Sequence, residues 1–146
     1  MYFLTQELEF CYGHRLIHYS GKCRFLHGHN GRVEIVLGGP HLDERGMLTD
    51  FGEIKRVLRT WIDTELDHKM LLHRDDPLLP LLRDAGQQLF VMEANPTAEN
   101  IARLIFDRGQ AEGLPMVEVR FWETTRSSAT YSAGGTIHQS GTACEG

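Results

Sequence analysis

Two stretches of strict alternation end in histidine, and that placement constrains this chain more than anything else in it. In the first, Leu4, Leu8, Phe10, Tyr12 and His14 share one parity, with Gln6 the exception, while Thr5, Glu7 and Glu9 take the other. In the second, His27, His29, Gly31, Val33, Ile35 and Leu37 share a face opposite Arg32 and Glu34. Successive side chains on a strand point to opposite faces, so both stretches read as half-buried strands. A third, "MVEVRFWET", sets Val117, Val119, Phe121 and Glu123 on one parity and ends its apolar face in a carboxylate. Three core-facing stripes therefore carry ionisable groups at one end. Burying such groups unpaired costs on the order of several kcal/mol, so they call for a metal or a polar ligand.

The rest of the chain supplies helices and a long connection. "GGPHLDERG" is a Gly/Pro-punctuated loop. Asp50 is an N-cap with Glu53 three residues on, and Ile54, Leu58, Trp61, Ile62 and Leu66 recur at helical spacing, which predicts an amphipathic helix over 51–66. "NPTAENIARLIFDRGQAEG" starts at Asn or Thr near a first-turn proline, carries Ile101, Leu104 and Ile105, and stops near Gly113, which predicts a second helix. Residues 69–94, with "HRDDPLLPLL", read as an ordered loop with one short helix, since proline breaks helices while the leucines seek burial. "SSATYSA" reads as a fourth strand, and about 135–146 as a flexible tail.

At 146 residues the chain fits a single domain, 1–146. A large active site would then draw on neighbouring subunits. The net charge of −5 argues against nucleic-acid partners, and there is no apolar run near the roughly 20 residues of a membrane span. "MYFLTQELEF" lacks the basic start and apolar stretch of a signal peptide, so a cytoplasmic protein is expected. Three scattered cysteines, Cys11, Cys23 and Cys144, make no disulfide framework.

Side chains two apart on a strand lie about 6.5–7 Å apart at the backbone, close enough for two imidazoles to meet on one ion. His27 and His29 with His14 from a neighbouring strand make a tripod. Three neutral nitrogens suit zinc and leave its fourth position open, as catalytic zinc requires. His18, His41, His73 and His138 have no companion at ligand spacing. Cys23, four residues before His27, is open to three readings: a fourth ligand of a closed zinc site, an inert small residue, or an active thiolate. Arg15, Lys22, Arg24 and Arg32 lie between Glu9 and Glu34 with no acid among them, which favours the thiolate and an anionic substrate group such as phosphate. Asp67 and His68 adjoin at a helix end, where they could merely end the turn and complement the dipole. Glu123 either pairs with an arginine such as Arg126 or Arg15, or accepts two parallel hydrogen bonds from a planar N–H edge.

"FCYGHRL", "CRFLHGHNG", "GMLTDFGEIK", "LDHKML", "NPTAENIA" and "ETTRSSATY" occur in the order seen in the family of 6-pyruvoyltetrahydropterin and 6-carboxytetrahydropterin synthases, which the chain resembles from about Phe10 to Tyr131. The resemblance implies an α+β tunnelling fold: a four-stranded antiparallel sheet with two helices on one side, whose subunits trimerise into barrels and stack as hexamers. By the same resemblance His14, His27 and His29 match the zinc ligands, and Cys23 the general base. Asp67 and His68 match its relay partners, Glu123 the anchor of the pterin ring, and Thr97 the segment that helps hold the pterin.

The reaction so implied is zinc-dependent elimination of triphosphate from 7,8-dihydroneopterin triphosphate. A short spacing of three residues between Cys23 and the HGH resembles the bacterial 6-carboxytetrahydropterin synthases of queuosine biosynthesis, where acetaldehyde is also released; a 6-pyruvoyl product is the alternative. A non-enzymatic zinc module, closed by Cys23, is the rival from another class. A metalloprotease is disfavoured for want of H-E-x-x-H. Two departures from the family pattern stand out. Gly31 replaces an aromatic residue that commonly follows HGH-Asn, and residues 69–94 are long.

Overall fold

The computed structural model describes residues 1–134. The expected flexible tail, with His138 and Cys144, falls outside the described residues. In chain order the strands are β1 (Tyr2–His14), β2 (His27–Gly39), β3 (Lys69–His73), β4 (Leu89–Met92), β5 (Met116–Trp122) and β6 (Ser128–Ser132). Helix α1 covers 51–65, with a π-helical turn at Lys55–Arg59 between α-helical Phe51–Ile54 and Thr60–Glu65. α2 is Leu78–Asp84 and α3 is Ala98–Ala111.

The sheet has six strands in the order β4-β3-β1-β2-β5-β6, not four. β1, β2, β5 and β6 are antiparallel neighbours, as the family resemblance implies. The correction lies in residues 69–94, where the expected short helix, α2, is flanked by two strands, β3 and β4, instead of loop, giving three helices and not two. β3 runs parallel to β1 and β4 parallel to β3, so the sheet is mixed. Neither short strand alternates clearly: Leu71 and Leu72 are adjacent and both buried, which hides the period of two. Pro80 is tolerated inside α2 because it lies in the first turn, whose amides have no helical partner to lose.

Register is set by burial. Leu8, Phe10, Tyr12, Val33 and Ile35 face one core with Val119 and Phe121, covered by Ile54, Leu58 and Ile62 of α1 and Ile101, Ile105 and Phe106 of α3. A slip of one residue between β1 and β2 turns one strand over; with β1 flipped, Leu8, Phe10 and Tyr12 would be exposed, and at roughly 1.5–3 kcal/mol each this rivals the whole stability of a domain. The register that results sets Tyr12 opposite His29 and His14 opposite His27.

Helix caps anchor the segments that leave the sheet. Asp50 accepts from the Gly52 amide at 2.7 Å, while Glu53 turns to Arg56 instead of closing a capping box. Thr97 caps α3 by accepting from the Asn100 amide at 3.2 Å. Asn95, just before it, accepts from the Ile17 amide at 3.0 Å and donates to the Ile17 carbonyl at 2.8 Å, tying the start of α3 to the chain leaving β1. Among the described residues no helix is long and apolar enough to cross a membrane.

Candidate metal centre and adjoining cavity

The three histidines meet at one end of the core face. Ring centroids lie 4.5 Å apart for His14 and His27, 5.1 Å for His14 and His29, and 5.0 Å for His27 and His29. One nitrogen from each falls within 4.8 Å of the others. Two tautomers follow from backbone partners. His14 Nδ1 lies 2.7 Å from the Pro96 carbonyl and His27 Nδ1 2.7 Å from the Phe25 carbonyl. A carbonyl only accepts, so each Nδ1 carries the hydrogen and each Nε2 a lone pair.

Those two Nε2 atoms face each other at 3.0 Å. Two lone pairs at that distance repel unless a positive centre lies between them. His29 Nε2 is buried and has no hydrogen-bond partner among the described residues. Burial, opposed by the Pro96 contact and aided by the neighbouring histidines, lowers His14 to about 4 and keeps it neutral. Burial and His27 also lower His29. Neutral imidazoles whose far nitrogens are pinned by carbonyls are what a divalent ion binds, so the residues fit a metal. Cys23 is not part of this converging group.

A cavity of about 220 Å³ opens beside His14 and is lined by Cys23, Thr97, Glu99, Glu123 and Ser127. Glu123 Oε1 lies 3.9 Å from His14 Nε2. Neither arginine considered from sequence pairs with Glu123 among the described residues: Arg15 is taken by Asp76, and Arg126 forms no ion pair with it. Burial, reinforced by Glu99 and opposed by His27, raises the Glu123 carboxyl above its ordinary value. Cys23 sits in a 3₁₀ turn, Lys22–Arg24, held by a Leu16 amide that donates to the Cys23 carbonyl at 2.8 Å.

The basic cluster expected around Cys23 disperses. Arg15 grips buried Asp76, Arg24 donates to the Ser20 and Gly21 carbonyls and lies over Phe25, and Arg32 pairs with Glu7 and Glu34 on the opposite face of the sheet. Lys22 has no ion pair among the described residues.

Asp67 and His68 lie elsewhere in the chain. His68 adopts a left-handed backbone, φ 58°, and its amide donates to the Cys11 carbonyl at 2.7 Å. Asp67 accepts from the Cys11 amide at 3.0 Å and from His68 Nδ1 at 2.8 Å. Burial pushes the Asp67 carboxyl up, but the hydrogen bonds from His68 and the Cys11 amide outweigh it and hold the group below its usual range. The pair flanks β1 where Cys11 points away from the core, and His68 lines a separate cavity of about 470 Å³ with Cys11, Lys69 and Gln88. One chain thus unites His14, His27, His29, Cys23, Glu123 and Thr97, and keeps Asp67 and His68 apart.

Two contributors escape a reading of the sequence. The Pro96 carbonyl, a backbone group, leaves no residue-type signal. Tyr12, in contrast, is a hydroxyl on a buried stripe two residues before His14, a signal that the same parity argument could have found.

An α+β sheet with three histidines gathered at the end of its core face places the chain among folds solved for tetrahydropterin synthases. The crystal structure of an uncharacterized Wolinella succinogenes protein matches with a TM-score of 0.74 and 30% identity, covering 91% of this chain and 98% of that one. That of Caenorhabditis elegans 6-pyruvoyl tetrahydropterin synthase matches in fold with a TM-score of 0.65 at 24% identity, covering 92% and 98%. The chain belongs to the 6-pyruvoyl tetrahydropterin synthase family, whose match spans residues 3–134. Among curated relatives, the 6-carboxy-5,6,7,8-tetrahydropterin synthase of Rickettsia felis is 45% identical over 100 residues, 67% of this chain and 72% of the relative. The Haemophilus influenzae protein of the same name is 30% identical over 139 residues, 90% and 99% of the two chains.

Proposed function

We propose that this chain is a zinc-dependent 6-carboxy-5,6,7,8-tetrahydropterin synthase, converting 7,8-dihydroneopterin triphosphate to the carboxy product, acetaldehyde and triphosphate, in the cytoplasm and on the route to queuosine. The observation that carries the reading is the set of three imidazoles whose ligand nitrogens lie within 4.8 Å of one another beside a cavity that Cys23 and Glu123 share. The names of the Rickettsia and Haemophilus relatives supply the substrate class.

Zinc held by His14, His27 and His29 would supply Lewis acidity, lowering the pKa of a substrate hydroxyl and steadying developing negative charge. Glu123 accepts two parallel hydrogen bonds from the N–H edge of the pterin, which fixes the ring. Thr97, engaged at the cap of α3, shapes the wall beside it. Cys23 Sγ, on the same cavity, removes a side-chain proton as the thiolate. Asp67 orients His68 through Nδ1, leaving Nε2 to take and give a proton. Lys22 is the cation left to meet the triphosphate.

In this reading the dyad of one subunit serves the cavity of a neighbour, because within one chain the two lie on different sides of β1. Two features support a trimer-based assembly, a hexamer in full. The outer strands β4 and β6 each have an unpaired edge among the described residues. Tyr19, Phe25 and Leu26 stand exposed around Cys23.

Incubation of the zinc-loaded protein with 7,8-dihydroneopterin triphosphate, with products identified by mass spectrometry, tests the reading. Acetaldehyde with a carboxytetrahydropterin is expected. A 6-pyruvoyl product without acetaldehyde would assign the alternative chemistry, and no turnover would return the three-histidine site to a structural role.

A further inference from the structure

The Tyr12 hydroxyl is the second buried polar atom, with His29 Nε2, that has no hydrogen-bond partner among the described residues. Tyr12 is 4% exposed and packs between the site and the core: its ring lies 5.1 Å from His14 edge-on, 5.6 Å from His29 and 5.6 Å from Phe121. Leaving a hydroxyl buried and unpaired is costly, and phenylalanine would fill the same space without that cost. A partner that arrives from outside the chain resolves the conflict.

Gly31 explains how the ring gets there. A Cβ at Gly31 would lie 2.8 Å from the Phe121 ring and 3.2 Å from Tyr12 Cε1. The Tyr12 and Phe121 rings therefore occupy the space that a side chain at position 31 would need. Glycine at 31 and tyrosine at 12 act as a pair: the first vacates volume and the second fills it, bringing a hydroxyl with it. The two orphaned atoms belong to residues paired with each other across β1 and β2. An ion at His29 together with a ligand oxygen beside it satisfies both.

We propose that Tyr12 is a ligand-binding residue of this site, donating its phenolic hydrogen bond to an oxygen of the ligand lodged beside His14 and His29, and that Gly31 is present to make room for it. The proposal rests on the pterin reading for the identity of the ligand. It adds a specificity contact that the three histidines, Cys23 and Glu123 do not supply.

Tyr12→Phe tests it, since the variant keeps every ring contact and loses one oxygen. Three quantities are measured on wild type and variant: melting temperature without metal, zinc affinity by chelator competition, and binding of 7,8-dihydroneopterin, which carries the side-chain hydroxyls but no triphosphate to eliminate. The expected result is an unchanged or higher melting temperature, unchanged zinc affinity, and about tenfold weaker pterin binding in the zinc-loaded variant, the usual scale for one lost buried hydrogen bond. Equal pterin affinity in the two proteins would overturn the proposal alone. A metal-free variant that melts several degrees lower would also overturn it, because the fold would then already be using the hydroxyl. Wild type that binds no pterin would overturn both this proposal and the reading beneath it.

Discussion

Arg15→Ala should destabilise the protein far more than the loss of a partly exposed arginine ordinarily does. Arg15 Nε donates to Asp76 Oδ2 at 2.8 Å and Nη2 to Oδ1 at 2.5 Å. The Asp76 side chain is 0% exposed and the Arg15 side chain 20%. Without Arg15 the carboxylate keeps the Leu78 amide, at 2.8 Å, as its remaining hydrogen bond. Removing one partner of a buried pair costs about 3–5 kcal/mol, because the other charge is left uncompensated. For a chain of 146 residues that is a fall in melting temperature of roughly 6–20 °C.

The pH dependence supplies a signature. Burial alone would push the Asp76 carboxyl up, but Arg15 and the Leu78 amide hold it below its ordinary 3.8 in wild type. The pair's contribution is therefore present above pH 3.8 and lost as pH falls through the lowered folded value. In the variant burial is less opposed, the folded carboxyl takes up its proton at higher pH, and the deficit relative to wild type narrows between about pH 7 and about pH 4. Urea unfolding of both proteins at several pH values measures it. A deficit below about 1 kcal/mol at neutral pH would match a solvent-screened surface pair and refute the reasoning, as would a deficit that widens on acidification.

Metal-free wild type should lose stability as pH falls from 6.5 through about 4, since burial depresses His14 from 6.5 to about 4; the full effect is about 3 kcal/mol, and urea melts of His14→Gln should lack this component. Cys23→Ala should keep its zinc while turnover falls by at least about a hundredfold, the lower end for loss of a general base; zinc and melting temperature falling together would instead make the thiol a ligand. Cys23→Ala and His68→Ala subunits, each inactive alone, should regain activity when unfolded and refolded together, as one cavity then receives an intact thiol and an intact neighbouring dyad. Persistent inactivity of the mixture, with hetero-oligomers verified by mass, would place the whole site within one chain.

The end of the sheet that carries the site was legible because parity decides it. Once Leu8 and Phe10 face the core, His14 must face it too, and the same holds from Val33 back to His29 and His27. Glu123 followed from Val119 and Phe121 on the same grounds. Closeness in sequence misled where side chains reach in different directions. Arg15, Arg24 and Arg32 share a stretch of chain with Cys23, yet one reaches Asp76, one the Ser20 and Gly21 carbonyls, and one the far face of the sheet. β3 and β4 stayed hidden because parallel pairing buries Leu71 and Leu72 together and erases alternation. The place of Asp67 and His68 depends on where α1 meets the backbone of Cys11, a tertiary contact with no local signature.

X-ray absorption at the zinc edge of the loaded protein measures the ion's neighbours directly. Three imidazole nitrogens and one further light atom at about 2.0–2.1 Å, with one zinc per chain, are expected. A sulfur shell near about 2.3 Å, or zinc that stays bound at one per chain after His29→Ala, would contradict a centre built from His14, His27 and His29 with one position left for substrate.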